Sequence, residues 1–222
     1  MLEYSWDWSA AVDGLPLLIE GLAVSFVLAL TVMTVSLPVS LIVAGARLST
    51  IAPIRFSAYA YTEMLRTLPL LVLLTWFFFV PGLSFGVNLE PFVIAVVAFV
   101  LTTSAFLAEV VRGSIQSIDP GQREAAVAAG MTSWQAARRV VLPQALRRAL
   151  PLIGAVWISL LKDTSLVSVV AVHDLMFEAR VLAVTVYRPI EVLTFAALIY
   201  FVVTYPQGRL LEWVFQRVRV SE

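Results

Sequence analysis

Cysteine is absent from this chain and histidine occurs once, at His173. These absences exclude a disulfide framework, a thiolate metal site and a cysteine nucleophile. Neither HExxH nor GxSxG occurs, so the hydrolytic chemistries built on those spacings have no foothold. No GxxxxGK[ST] phosphate-binding loop is present, and any ATP chemistry therefore belongs to another polypeptide. Charge is scarce as well. Only 14% of positions are Asp, Glu, Lys or Arg, fifteen acidic against fifteen basic, so no nucleic-acid partner is expected. The start lacks a basic stretch: Met1 to Pro16 carries Glu3, Asp7 and Asp13, which argues against a cleavable leader, and Trp6 and Trp8 read as anchors at a membrane interface.

What fills the chain is apolar side chains. Hydrophobic residues make up 60% of 222 positions and the mean hydropathy is +0.92, outside the range of ordinary water-soluble domains. The uncharged run Gly21 to Ala46 covers 26 residues, more than the roughly 20 that a helix needs to cross about 30 Å of lipid tails. Pro38 inside it predicts a kink. The pattern predicts an all-α membrane protein with about five transmembrane helices, near 17–45, 55–80, 91–111, 149–172 and 190–208, preceded by an interfacial segment over 1–16. Basic residues orient it. One set of loops and ends holds eleven (Arg47 and Arg55; Arg112, Arg123, Arg138, Arg139, Arg147 and Arg148; Arg209, Arg217 and Arg219), and the opposite set holds Arg180 and Arg188 alone. The N-terminus is thus expected outside and the C-terminus inside. No repeat, low-complexity tract or linker divides residues 1–222, which read as a single membrane domain and as a subunit of something larger.

The most informative stretch lies on the inner side, over 120–147. Glu124 to Arg139 is rich in alanine and other helix formers and is interrupted by Gly130, which allows a bend or the close approach of another backbone. Two short helices fit, the second capped by Thr132 or Ser133 with Gln135 in its first turn. Pro143 is expected to mark where the chain turns toward the fourth span. An amphipathic helix on the inner leaflet, with Arg138, Arg139, Arg147 and Arg148 toward lipid phosphates, is the plainer alternative.

The order Glu124-Ala125-Ala126, three residues, Gly130, nine residues, then Val140-Val141-Leu142-Pro143 resembles the EAA loop of binding-protein-dependent ABC importer permeases. Over nearly the whole chain the sequence is similar to the polar amino-acid permeases of type I ABC importers. The likeness also rests on Glu63 to Leu70, Ala108-Glu109-Val110-Val111-Arg112-Gly113, Ile115 to Ile118 with Gly121-Gln122, and Ser159 to Leu166. Thr67 and Leu68 stand where Gly and Thr are common in that family. The acidic, tryptophan-bearing start, Glu3 to Ser9 with Leu15-Pro16, looks most like permeases for glutamate and aspartate. The resemblance implies a transport subunit, not an enzyme, of a bacterial cytoplasmic (inner) membrane complex, with no cofactor on this chain. Its partners would be two ATP-binding cassette subunits that hold ATP and Mg, a second permease, identical or paralogous, and a periplasmic or lipid-anchored solute-binding protein that delivers a polar amino acid. It further implies that Glu124, Ala125, Ala126, Gly130, Leu142 and Pro143 couple to the ATPase.

A substrate pathway is suggested by charge at depth. On straight helices Arg66 would lie about 16 Å from Arg55 and Lys162 about 19 Å from Ala149, roughly mid-bilayer. Each has a carboxylate near it in sequence, Glu63 and Asp163. Intramembrane charges face a bundle interior or aqueous cavity, since lipid exposure costs several kcal/mol. Glu63, Arg66, Lys162, Asp163, Thr164 and Ser165 are therefore candidates to meet the two charged ends of an amino acid. Mutual neutralisation within each pair, and capping of a local break in the fourth span by Thr164 and Ser165, are the structural alternatives. His173 reads as an interfacial residue and Trp76 to Phe79 as an external aromatic belt. A self-contained secondary transporter or channel subunit would account for the buried charges, but not for the EAA-like segment.

Overall fold

The computed structural model describes residues 5–86 and 88–218; Glu3, Tyr4 and Arg219, which entered the expectations above, lie outside them. Every regular element among the described residues is helical: α1 (Ser9–Asp13), α2 (Leu15–Arg47), α3 (Ala52–Thr67), α4 (Leu70–Phe85), α5 (Pro91–Gln116), α6 (Pro120–Ala128), α7 (Ser133–Ala136), α8 (Leu142–Asp163), α9 (Leu175–Thr185) and α10 (Pro189–Val218). A π turn over Ala137–Val141 joins α7 to α8, and a 3-10 stretch over Thr164–Val170 follows α8.

Among the described residues four stretches are long and apolar enough to cross a membrane, namely Leu15–Arg47, Pro91–Gln116, Ser133–Val170 and Pro189–Gln216; α3 with α4 makes a fifth if a bent pair counts as one span. The second span expected over 55–80 is this bent pair, in which α3 and α4 meet at 99°. The cause is Pro69, which has no N–H to donate and forces the residue before it out of helical geometry. Leu68 is accordingly extended at ψ 132°. The fourth span also begins earlier than expected, since helix runs without a break of direction into α8 from Ser133. Pro143 turns nothing. It sits second in α8, directly after the π turn, whose altered bonding accommodates a residue lacking its N–H. Pro38 lies inside α2, which continues through it.

The described residues form two compact units: 5–32, 69–86, 88–99 and 158–208 in the first, and 33–68, 100–157 and 209–218 in the second. In the first, α1, the start of α2, α9 and α10 close on Ala11, Leu18, Leu175, Ala179, Ala183, Val192 and Ala196, with Leu182, Phe195 and Tyr200 around them. Gly21 is required there. A Cβ at that position would lie 2.8–2.9 Å from the backbone of Asp174 and Leu175. In the second unit α3 buries Ala58, Thr62 and Leu65, and the Tyr61 hydroxyl reaches α5 at Ser104 Oγ (2.7 Å) and the Leu101 carbonyl (3.1 Å). Small residues such as Ala105 and Ala108 line the packed face of α5, the composition that lets helices approach closely in lipid. Buried hydroxyls are satisfied locally: Ser40 donates to the Leu37 carbonyl and Ser25 to that of Gly21.

Candidate functional site

The EAA-like segment folds as a helix, a glycine stop and a second helix. Asp119 caps α6, its carboxylate accepting from the Gly121 N–H at 2.7 Å with Pro120 in the first turn. At the other end Gly130 is left-handed, at φ 88°. The Gly130 N–H donates to the Val127 carbonyl (2.9 Å) and the Met131 N–H to that of Ala126 (3.1 Å). These paired bonds close a Schellman motif, in which glycine meets the positive φ at least cost. Thr132 then opens α7 with a capping box, its hydroxyl accepting from the Gln135 N–H while the Gln135 side chain accepts from the Thr132 N–H. The bend and the cap expected from Gly130, Thr132 and Gln135 are thus present.

Along α6 only Ala126 is buried, whereas Glu124, Ala125 and Val127 face outward. An open groove of about 970 Å³ runs beside it, lined by Ile115, Ile118, Arg123, Glu124, Val127 and Val141 among others. Leu142 is half exposed, and Pro143 is exposed beside it.

The charged residues of the proposed pathway do not form the two mutual pairs of the structural alternative. Arg66 does not turn back to Glu63. Its guanidinium lies over the Phe106 ring, 5.5 Å from the centroid, with Nη1 4.0 Å from Glu109 on α5. Glu63 is exposed and offers only its backbone carbonyl, to Thr67 Oγ1. Arg55 and Arg66 lie on one unbroken helix, α3, and the 99° bend comes only after Leu68. Lys162 is exposed, and Asp163, half buried, accepts from Ser159 Oγ at 3.3 Å, with no ion pair to its neighbour. Adjacent residues on a helix point about 100° apart, which explains the separation. Thr164 is buried and donates to the Leu161 carbonyl at the change from α8 to the 3-10 stretch; Ser165 is half buried. Arg66 and Glu63 belong to the second unit and Lys162 to Ser165 to the first.

Three partnered carboxylates, Glu109 half-buried and Glu191 and Asp174 fully buried, were not singled out as site residues from the sequence. Glu109 accepts from Arg47 Nε (2.9 Å) and from Arg112 Nη2 (2.7 Å). Glu191, fully buried, accepts from the Asp7 N–H (3.0 Å), and Arg188, 3.9 Å from Glu191, also holds the Ser5 carbonyl, so the N-terminal segment is tied to the start of α10. Trp6 and Trp8 stack above this anchor, both exposed. Asp174, also fully buried, caps α9 through the Met176 and Phe177 N–H groups and accepts from the Tyr200 hydroxyl. Burial pushes its carboxyl up to about 6, although those donors favour the charged form. His173 beside it packs on Phe177 and meets Glu178 at 2.7 Å. The signal for Glu109 was an (i, i+3) pair with Arg112 inside an apolar run; Glu191 and Asp174 each resembled ordinary helix-start acids.

Residues 36–220 match the family described as binding-protein-dependent transport system inner membrane component. The chain belongs to this family. Among curated relatives of these permeases, it is 35% identical over 221 residues to the glutamate/aspartate import permease protein GltK of Escherichia coli O157:H7, covering 96% of this chain and 99% of that one. It is 32% identical over 216 residues to the glutamine transport system permease protein GlnP of Escherichia coli strain K12, covering 97% and 99%. Among solved structures, an amino acid ABC transporter with histidines superposes at a TM-score of 0.92, with 36% identity over 96% of this chain and 100% of that one. The MetNI methionine ABC transporter in inward-facing form, at 22% identity and a TM-score of 0.70, shares the fold. The chain is therefore a transmembrane permease of the ABC amino-acid importer class, not the ATPase.

Proposed function

We propose that this permease forms half of the translocation pathway of an ATP-driven, binding-protein-dependent importer of a polar amino acid, with glutamate or aspartate the favoured substrate and another polar amino acid the alternative. The observation that carries the reading is the exposed face of α6, stopped by the Gly130 Schellman motif and set beside an open groove. A rigid, capped lever of this kind suits a rigid-body switch, which needs discrete states and not a flexible tether. Glu124, Ala125 and Ala126, with Gly130, Leu142 and Pro143, engage one of two cytosolic ATPase subunits, which hold ATP and Mg. A second permease, identical or paralogous, completes the pore, and a periplasmic or lipid-anchored binding protein delivers the substrate at the outer face. The excess of basic residues on one set of loops supports an N-out, C-in orientation in the bacterial cytoplasmic membrane. The substrate preference is supported by full-length likeness to a glutamate/aspartate permease.

Glu63, Arg66, Lys162, Asp163, Thr164 and Ser165 are assigned to the pathway. Arg66→Ala and Lys162→Ala are expected to lower uptake more than basal ATP hydrolysis, with losses that depend on substrate charge; normal uptake by both would remove these residues from the pathway. For coupling, Gly130→Asp or Ala126→Asp is expected to leave membrane insertion intact while releasing the ATPase or abolishing binding-protein-stimulated hydrolysis. Full stimulation in both mutant complexes would refute the coupling assignment.

A further inference from the structure

Three guanidinium groups in the second unit converge on one carboxylate. Arg47 Nε lies 2.9 Å from Glu109 Oε1, and Arg112 Nη2 and Arg66 Nη1 lie 2.7 and 4.0 Å from Oε2. Three cations against one anion leave the cluster at +2, with Arg47 and Glu109 mostly covered, at 13% side-chain exposure each, and Arg112 and Arg66 more open, at 25% and 38%. Water screens the open side of the cluster only in part, and a further anion there would offset the remaining repulsion.

Donors for that anion are already in place. Arg112 directs Nε and Nη2 to Glu109 and Nη1 to Gln116, and Arg47 directs only Nε to Glu109. Arg66, at 4.0 Å, is beyond hydrogen-bond reach of Glu109, and its side chain is 38% exposed. Aromatic faces support two of the three planes: Arg47 over Tyr59 at 4.8 Å and Arg66 over Phe106 at 5.5 Å. A guanidinium held by its face keeps its edge, the fork of N–H donors, available to a planar oxyanion.

We propose that Arg47, Arg66 and Arg112 form an oxyanion site that takes a carboxylate of the transported amino acid, with Glu109 as the counter-charge that keeps binding weak enough for release. This rests on the importer reading above and adds Arg47, Glu109 and Arg112 to the pathway. The surplus charge favours a substrate with two carboxylates over its neutral amide. A phospholipid phosphate presents the same chemistry to the same forks, and the two sources are separable.

The test is ligand binding by the purified full-length permease, followed by thermal shift, with L-glutamate, L-glutamine and phosphatidylglycerol as probes. L-Glutamate is expected to bind at least about threefold more tightly than L-glutamine, with an affinity that falls as salt rises. Arg66→Gln is expected to weaken L-glutamate binding about tenfold, and Arg66→Lys, which keeps the charge but loses the fork, to fall between. Equal binding by the wild type and Arg66→Gln overturns the site. Protection by phosphatidylglycerol with no response to L-glutamate gives the cluster to lipid and overturns the substrate assignment. ATP-driven uptake by the complete complex separates this from the importer reading: Arg66-dependent binding without wild-type uptake sinks the importer, whereas uptake and binding that ignore Arg66→Gln sink the site alone.

Discussion

Replacing Asp174 by asparagine isolates the cost of a buried charge in the first unit. Asp174 is fully buried and has no cationic partner among the hydrogen bonds that hold it, which come from the Met176 and Phe177 N–H groups and the Tyr200 hydroxyl. Its carboxyl moves from 3.8 to about 6, with burial the largest cause. Because the folded value lies above the unfolded one, the folded state keeps a proton that the unfolded chain has already released. The contribution of this residue is therefore most favourable below about pH 4 and declines as pH rises through 6. The difference, about 6 minus 3.8, corresponds to a penalty of about 3 kcal/mol at pH 7.5. Asp174→Asn keeps an acceptor for the cap of α9 and cannot ionise, but it sacrifices one acceptor oxygen, at a cost of about 1 kcal/mol. The expected net effect is a gain of about 2 kcal/mol at pH 7.5 and a loss of about 1 kcal/mol near pH 4. Thermal unfolding of wild type and variant in the same detergent, from pH 4.5 to 8, reads the difference directly, since other titrating groups cancel. Parallel curves, or a variant less stable at pH 8, would refute the reasoning.

Gly21→Ala places a Cβ 2.8–2.9 Å from the backbone of Asp174 and Leu175; a loss of about 1–3 kcal/mol is expected, whereas Gly113→Ala, inside α5 and meeting nothing within 4 Å, is the contrasting control, expected to raise the melting temperature because alanine suits a helix better than glycine by up to about 1 kcal/mol. Gly130→Ala meets no atom within 4 Å but must hold φ 88°, so a cost of about 1 kcal/mol from backbone strain alone is expected, visible as faster hydrogen exchange at the end of α6. Thr132→Ala removes one half of the capping box and is expected to cost about 1 kcal/mol, with exchange increased over Ser133 to Ala136 only. Glu109→Leu leaves Arg47, Arg66 and Arg112 facing one another; a loss of about 3–5 kcal/mol is expected, and a folded yield equal to wild type would show that these cations do not depend on Glu109.

The apolar runs made the helices legible, because an unbroken uncharged run as long as Gly21 to Ala46 fits a spanning helix, which satisfies its backbone within itself, and not the shorter alternating strands of a barrel. The stop at Gly130 and the cap at Thr132 were legible for a related reason: both depend on bonds within six residues. Long-range pairing was not. Arg66 chose Glu109, 43 positions away, over Glu63 one turn before it, since the direction of a side chain on α3 depends on which neighbouring helix it faces. The break at Leu68–Pro69 was readable from the proline, yet the surrounding hydrophobicity masked it. Asp174 and Glu191 became distinctive only through burial, which their local sequences do not signal.

The most direct test of the account is uptake of labelled glutamate into proteoliposomes that contain this permease, its ATPase and, on the outer side, its binding protein. The account predicts accumulation that requires both ATP at the ATPase face and the binding protein, and that disappears with Ala126→Asp while the permease remains inserted. Accumulation by the permease alone, driven by an ion gradient and indifferent to ATP, would contradict it.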